Sequence, residues 1–322
     1  MTTRSNILVV GATGRVGRIL IPELVRSGYR VSALGRTEDK RRLLERLGAT
    51  AVSFNIFKSI EARRVMQDHA TVINLATHIP PAGFRMMLPW SWQENDRVRR
   101  DGSASLVNAA IAAGVSRFIQ ESFAPIYEDG SARWIDESWP RRPARNSLTV
   151  LDAERSAERF TEAGGVGVVL RFANFYGPDA TLATMLRMIR RGWSPLPGRA
   201  SAYWSSLAHE DAALAAKAAL RVPAGVYNVC DDEPLMRREW AGVLANALGA
   251  PPPRLIPGWV TALGGSMTEL LSRSERMTNR KFKAACGWTP RWPSSRAGLP
   301  AAVNALLGWR EAAEAPANSR VS

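Results

Sequence analysis

The stretch ILVVGATGRVGRIL, Ile7–Leu20, decides how the rest of the chain is read. Ile7–Val10 is an apolar run of strand length. Gly11, Gly14 and Gly17 come next as GxxGxxG, and a helical pattern from Gly14 to Ser27 puts Val16, Ile19, Leu20, Leu24 and Val25 on one face, with Pro22 inside it. In such a strand–turn–helix the first glycine allows the tight turn and the second lets backbone approach a pyrophosphate. The third lets the helix pack closely on the strand. The helix N-terminus adds unpaired N–H groups and the positive end of a dipole. A purely structural turn can carry the same triplet, but its place directly after the first strand points to a dinucleotide.

Outward from this turn, apolar runs alternate with helical patterns. Strands are expected at Arg30–Leu34, Ala51–Phe54, Thr71–Ala76, Arg117–Glu121 and Gly167–Phe172. Helices are expected at Glu38–Leu47, Ile60–Gln67, Asn95–Ala113 and Leu148–Ala163. Continuous apolar strands suit a parallel sheet covered on both faces. The expected fold is therefore α/β, a doubly wound parallel sheet of the Rossmann type with a small C-terminal lobe. Residues 1–176 form the nucleotide-binding part, with 203–232 returning to it. Residues 177–312, where Trp and Pro become frequent, form most of a substrate lobe, and 313–322 a loose tail.

Composition narrows the partners. The 322 residues are 46% hydrophobic and 22% charged, ordinary for a globular protein, and no apolar run is long enough to span a membrane. The net charge of +14 comes from arginines interleaved with Asp and Glu on helical stretches such as RRLLERLG, which read as solvated faces. No aromatic–basic platform accompanies them, so nucleic acid is not the expected partner. Cys230 and Cys286 lack metal-ligand spacing and His69, His78 and His209 are scattered, so no metal site is expected and a reducing cytoplasm fits.

Cofactor choice rests on the end of the second strand. An acidic residue there would hold the adenosine ribose 2′-OH and repel a 2′-phosphate. The chain reads SALGRTEDK, with Arg36 at the turn and Arg15 inside the glycine turn; Arg41 is a third contact of lower weight. Two guanidinium forks match a phosphate in charge and geometry, so NADP(H) is preferred over NAD(H). Arginines that merely face solvent are the alternative.

GATGRVG, NLATHIP, RFIQESFAPIY, VVLRFANFYGP, HEDAALAA, GVYNV and GWTPRWP together resemble the extended short-chain dehydrogenase/reductase superfamily, in its NAD(P)-dependent epimerase/dehydratase branch. The similarity runs in order from about Asn6 to Pro293. It implies a sheet of about seven strands and cofactor contacts at Gly11, Thr13, Gly14, Arg15, Val16, Gly17, Arg36, Asn55, Ile56, Leu75, Ala76, Thr77 and Asn174. Asn55 stands where the family usually has an aspartate near the adenine. Asn174 and Tyr176 match the loop beside nicotinamide and substrate. The helices Asn95–Ala113 and Leu148–Ala163 resemble the pair that forms a dimer face in relatives, though their apolar stripes also suit an intramolecular core.

The resemblance breaks at the chemistry. Members that move hydride use a Ser/Thr on the fifth strand and a Tyr-x-x-x-Lys pair on the next helix, whose lysine lowers the phenol's pKa. This chain has no lysine between Lys58 and Lys217 and no tyrosine between Tyr127 and Tyr176. With Glu154 aligned to the glutamate that comes after the pair, Asn146 and Val150 occupy its positions; one helical turn later they are Val150 and Glu154. Phe123 stands at the serine position. Four replacement catalytic groups remain: Ser122, Tyr127, Glu121 and His78. Ser122 has a strand-end capping role as its alternative, Glu121 an inert salt bridge, and His78 a local hydrogen bond. The segment HIPPAGFRMMLPWSWQEND, with Trp90, Trp92, Met86, Met87 and Leu88, reads either as an apolar lid over a small substrate or as packing against the lobe.

Three functions fit: an NADPH-dependent reductase or dehydrogenase of a small, apolar carbonyl, enone or imine compound; a catalytically silent NADP(H)-binding regulatory protein; or a redox-neutral epimerase or isomerase.

Overall fold

The computed structural model describes residues 6–80, 86, 88–256 and 265–314. Residues 81–85 and Met87 of the expected lid and residues 315–322 of the expected tail lie outside the described residues; positions 313 and 314 of that tail close the last helix.

Seven parallel strands form one sheet in the order β11-β7-β5-β4-β1-β2-β3. They are β1 (Asn6–Val10), β2 (Arg30–Leu34), β3 (Thr50–Val52), β4 (Thr71–Asn74), β5 (Arg117–Phe123), β7 (Val166–Phe172) and β11 (Gly225–Val229). β1 pairs with β2 on one side (Ile7 opposite Val31) and with β4 on the other (Ile7 opposite Thr71). The chain order reverses there, and a crevice opens beyond the carboxyl ends of these strands. Ile7, Leu8, Val9 and Val10 are all fully buried, because helices cover both sheet faces. Ile7 and Val9 pack toward α1 (Arg15–Arg26), while Leu8 and Val10 pack toward the helices that come after β3 and β4. β6 (Trp134–Ile135), β8 (Asn174–Tyr176), β9 (Tyr203–Trp204), β10 (Ser206–Ala208), β12 (Leu235–Met236) and β13 (Arg276–Met277) form two-stranded pairs outside the main sheet.

Three differences from the sequence reading matter. β4 ends at Asn74, so Leu75–Thr77 belong to the loop beyond it. β5 runs on to Phe123, so Ser122 is paired strand, opposite Arg171 of β7. The expected helix Asn95–Ala113 is a helix at Gln93–Arg97, a π-helical turn at Val98–Gly102 and a helix at Ser103–Ala112. A π turn inserts a residue and rotates the helix beyond it. Arg99 lies in this turn and is buried, although the sequence around it reads as a solvated face. The lobe's last helix (Ser295–Glu314) lies against β10 and the helix Arg237–Ala247. Among the described residues no helix is long and apolar enough to cross a membrane.

Candidate active site

The glycine turn is shaped by contacts that side chains would prevent. Gly11 has φ +78°, and a Cβ there would overlap the Leu75 carbonyl carbon. A Cβ on Gly17 would come 2.5 Å from the Ala12 carbonyl oxygen. Gly14 is the N-cap of α1 and offers no capping side chain, so the helix N-terminus faces the crevice with no side-chain acceptor. Such a terminus suits a pyrophosphate.

Two cavities meet at this turn. The first, about 440 Å³, lies toward β2 and β3 and is lined by Thr13, Gly14, Ile56, Leu75, Ala76 and Thr77, with Arg36, Arg18 and Lys40 as its cations. No ion pair engages those three cations among the described residues, and Arg18 donates from Nε to the Thr13 carbonyl (2.8 Å). The expected pair Arg36–Arg15 is corrected here. Arg15 does not line this cavity: it pairs with Asp179 (2.7 Å) and borders the larger cavity instead, while Arg41 is held by Glu38 (2.6 Å). Arg18 and Lys40, each one helical turn from a residue the glycine turn or β2 loop made conspicuous, line the cavity in their place. Asn55 does not line the cavity either. Its Oδ1 accepts from the Phe57 N–H (3.0 Å), and the adjoining Ile56 faces the cavity instead.

The second cavity, about 560 Å³, runs from Gly11, Gly14, Val16 and Gly17 to the ends of β5 and β7. Glu121, Phe172, Phe175, Met86 and His209 wall it, and His78 borders both cavities. Glu121 is 7% exposed and accepts from Nη2 of Arg99 (2.9 Å), itself 3% exposed. Burial pushes the Glu121 carboxyl up, against the opposing pull of Arg99. His78 is fixed through its backbone N–H, which donates to Asn95 Oδ1 (3.0 Å). His209, to which the sequence alone gives no role, packs against Phe175 with ring centroids 5.5 Å apart. Its burial lowers the imidazole to about 4, with Asp179 opposing and Arg15 reinforcing, so it is neutral near pH 7.

Ser122 and Tyr127 are placed away from this cavity, which corrects the expectation that they stand at the reactive end. Glu121 and Ser122 are adjacent on a strand and point to opposite faces. Ser122 donates to Glu154 Oε1 (2.6 Å) on the helix Thr149–Glu162. Glu154 also accepts from Arg171 Nε and Nη2 (2.8 and 2.7 Å), and Arg171 Nη1 donates to the Tyr127 hydroxyl (2.7 Å). Tyr127 in turn donates to Asn228 Oδ1 (2.6 Å). Burial raises its phenol further, Arg171 notwithstanding, so it is no base. Glu154, on the helix where the resemblance places a catalytic pair, is thus held in a buried ion pair with Arg171 of β7.

The remaining expected contacts separate. Asn174 is buried and donates to the Ser205 carbonyl (3.2 Å), off both cavities. Trp90 is 64% exposed and lines neither. Trp92 is buried and donates from Nε1 to the Met86 carbonyl (3.0 Å), bracing a residue that does line the cavity. Tyr176 faces a third space, behind Arg15.

A family model described as NAD(P)H-binding matches residues 11–179, from the first glycine to the partner of Arg15. The chain belongs to this NAD(P)H-binding family. It is similar to a 3-diazoavenalumate denitrifying reductase from Streptomyces sp., 33% identical over 91% of this chain and 98% of that one. A 4-hydroxy-2-methyl-3-oxo-4-farnesyl-3,4-dihydroquinoline-1-oxide ketoreductase from Stigmatella aurantiaca is 28% identical over 75% and 72% of the two chains. Among solved structures, UDP-glucuronic acid 4-epimerase from Bacillus cereus, in complex with UDP-glucuronic acid and NAD, shares the fold with a TM-score of 0.75. It is 19% identical, with 94% of this chain and 99% of that one covered. The protein is an NAD(P)-dependent enzyme of the reductase/epimerase kind.

Proposed function

We propose that this protein is an NADPH-dependent reductase of a small, electron-poor organic acceptor: a carbonyl, enone, imine or diazo compound. The observation that carries the reading is the larger cavity. It joins an uncapped helix N-terminus to a compartment walled by Phe172, Phe175 and Met86, with the carboxyl of Glu121 in its wall. When bound, the reduced dinucleotide supplies the hydride. The chain's own residues hold, orient and protonate. Gly11, Gly14 and Gly17 admit the pyrophosphate, and Arg36, Arg18 and Lys40 hold the adenosine 2′-phosphate. The aromatic walls exclude water from an apolar acceptor.

Reduction of a C=X acceptor gives HC–XH and consumes one proton with the hydride. Reduction of a neutral diazo carbon gives CH₂ and releases N₂, again with one proton. Neither demands a strongly activated phenol when the acceptor is electron-poor, which fits a cavity from which Tyr127 and Ser122 are turned away. Glu121 is assigned as the proton carrier, because its carboxyl stands in the cavity wall and burial raises it above the usual carboxylate range. His78 orients the acceptor at the junction of the two cavities. The similar Streptomyces protein, named for removing nitrogen from a diazo compound by reduction, and the similar ketoreductase support an acceptor of this size and type. Two thiols without a disulfide suit a cytoplasmic enzyme. Exposed Ile111 and Leu148 extend the proposal to a homodimer through the helix pair that carries them.

The test is nicotinamide absorbance with NADPH and a panel of aryl diazo, enone, iminium and quinone compounds. Turnover with at least one compound, reduced about 100-fold in Glu121→Gln while NADPH binding is unchanged, is the expected result. Tight NADPH binding with no turnover across the panel would instead support the regulatory reading. A co-purifying, non-exchanging cofactor with isomerisation and no net oxidation would support the redox-neutral one.

A further inference from the structure

Behind the Arg15–Asp179 ion pair lies a third cavity of about 520 Å³, between α1, the Tyr176–Asp179 loop and the last helix. We propose that it is a second binding site, for a small neutral apolar molecule carrying one hydrogen-bond acceptor. Its walls are apolar: Ile19 of α1, Pro178, Trp292, and Ala301, Ala302 and Ala305 of the last helix. Its charged rim is already engaged: Asp179 pairs with Arg15 (2.7 Å), Glu210 accepts from the Trp292 indole (3.2 Å), and Arg18 donates to the Thr13 carbonyl (2.8 Å) on the side of the smaller cavity, which leaves the apolar walls to a neutral ligand.

The polar group that calls for a ligand is the Tyr176 hydroxyl. Tyr176 is 5% exposed and its hydroxyl has no hydrogen-bond partner among the described residues. Leaving a buried hydroxyl unpaired is costly, and a ligand acceptor removes that cost. Burial also raises this phenol, so it presents a firmly held proton and acts as donor. The chain makes room for it: Gly298 of the last helix faces the hydroxyl, and a Cβ at 298 would collide with that oxygen. His209 and Arg15 form the wall shared with the larger cavity; His209 is held neutral by burial and the Arg15 guanidinium is paired with Asp179. The site adjoins the one proposed for the cofactor, sharing Arg15, Arg18 and His209 with its cavities, but does not depend on the reaction proposed above.

The experiment is a ligand-detected NMR titration of the full chain, saturated with NADP+, using methyl benzoate and ethylbenzene as probes. If the cofactor itself fails to bind, the cofactor assignment fails and the same titration is read on the free protein. Methyl benzoate is expected to saturate one site and to bind about 3- to 10-fold tighter than ethylbenzene, the worth of one neutral hydrogen bond. Tyr176→Phe, which removes an unpartnered group and leaves the fold intact, should erase that preference. Ala305→Trp, at an exposed position on the rim, should abolish both probes. No saturable binding, full binding in Ala305→Trp, or an unchanged preference in Tyr176→Phe each overturns the proposal.

Discussion

Reversing the charge of Arg36 tests the cofactor assignment at its most exposed point. Arg36 lies beyond β2 on the loop that lines the smaller cavity, and no carboxylate pairs with it among the described residues, whereas Glu38, two positions along, holds both Arg41 and Arg42. A charge-assisted hydrogen bond to phosphate contributes about 1.5–3 kcal/mol. Solvent screening at an exposed side chain reduces this to about 1–2 kcal/mol. Arg36→Asp also sets a carboxylate against the 2′-phosphate, which adds a comparable repulsion at low salt. The sum is about 2–4 kcal/mol, roughly a 30- to 1000-fold loss in NADPH affinity. NADH has no 2′-phosphate and should change by less than about 3-fold. Isothermal calorimetry with both coenzymes at low and high salt reads the difference, which should shrink at high ionic strength. Equal losses for both coenzymes, or none for either, would refute the assignment of this cation to the 2′-phosphate.

Two further perturbations probe the buried charges. Glu154→Leu strands the Arg171 guanidinium, which is 2% exposed, and should cost about 3–5 kcal/mol in denaturant unfolding, whereas a catalytic role for Glu154 alone would leave stability unchanged. His209 should make the fold acid-sensitive. Its imidazole is lowered to about 4 in the folded state, so on acidification the unfolded chain takes up a proton first, near its ordinary value. Its contribution is therefore intact above pH ~6.5 and is lost as pH falls toward 4, by up to about 3 kcal/mol. Glu275, raised by burial to about 7, pulls the opposite way over part of this range. The measurement is thus the difference between the wild type and His209→Gln in stability against pH, which should open below pH ~6.5; parallel curves would show that His209 is not buried in the neutral form.

The amino-acid sequence by itself determined the sheet and the glycine turn. Both are written in short-range terms: apolar runs of strand length, helical periodicity, and glycines where a Cβ would meet Leu75 or Ala12. It also determined that a tyrosine–lysine pair is missing, since no lysine stands between Lys58 and Lys217. Which polar groups meet was decided only by the tertiary structure. Arg15 and Asp179 are far apart in the chain, and nothing local tells a guanidinium in a glycine turn to face the lobe instead of the ribose. Glu121 finds Arg99 because a π turn rotates a residue that reads as solvated into the core. Ser122 and Tyr127 leave the reactive end because β5 continues in register with β7, so that Ser122 lies opposite Arg171. Tyr176 likewise looks like a substrate contact in sequence, yet the packing of the last helix turns it onto another cavity. Backbone shape comes from neighbours along the chain. Ion pairs and cavities depend on distances of an ångström or so between segments that only the folded sheet and lobe bring together.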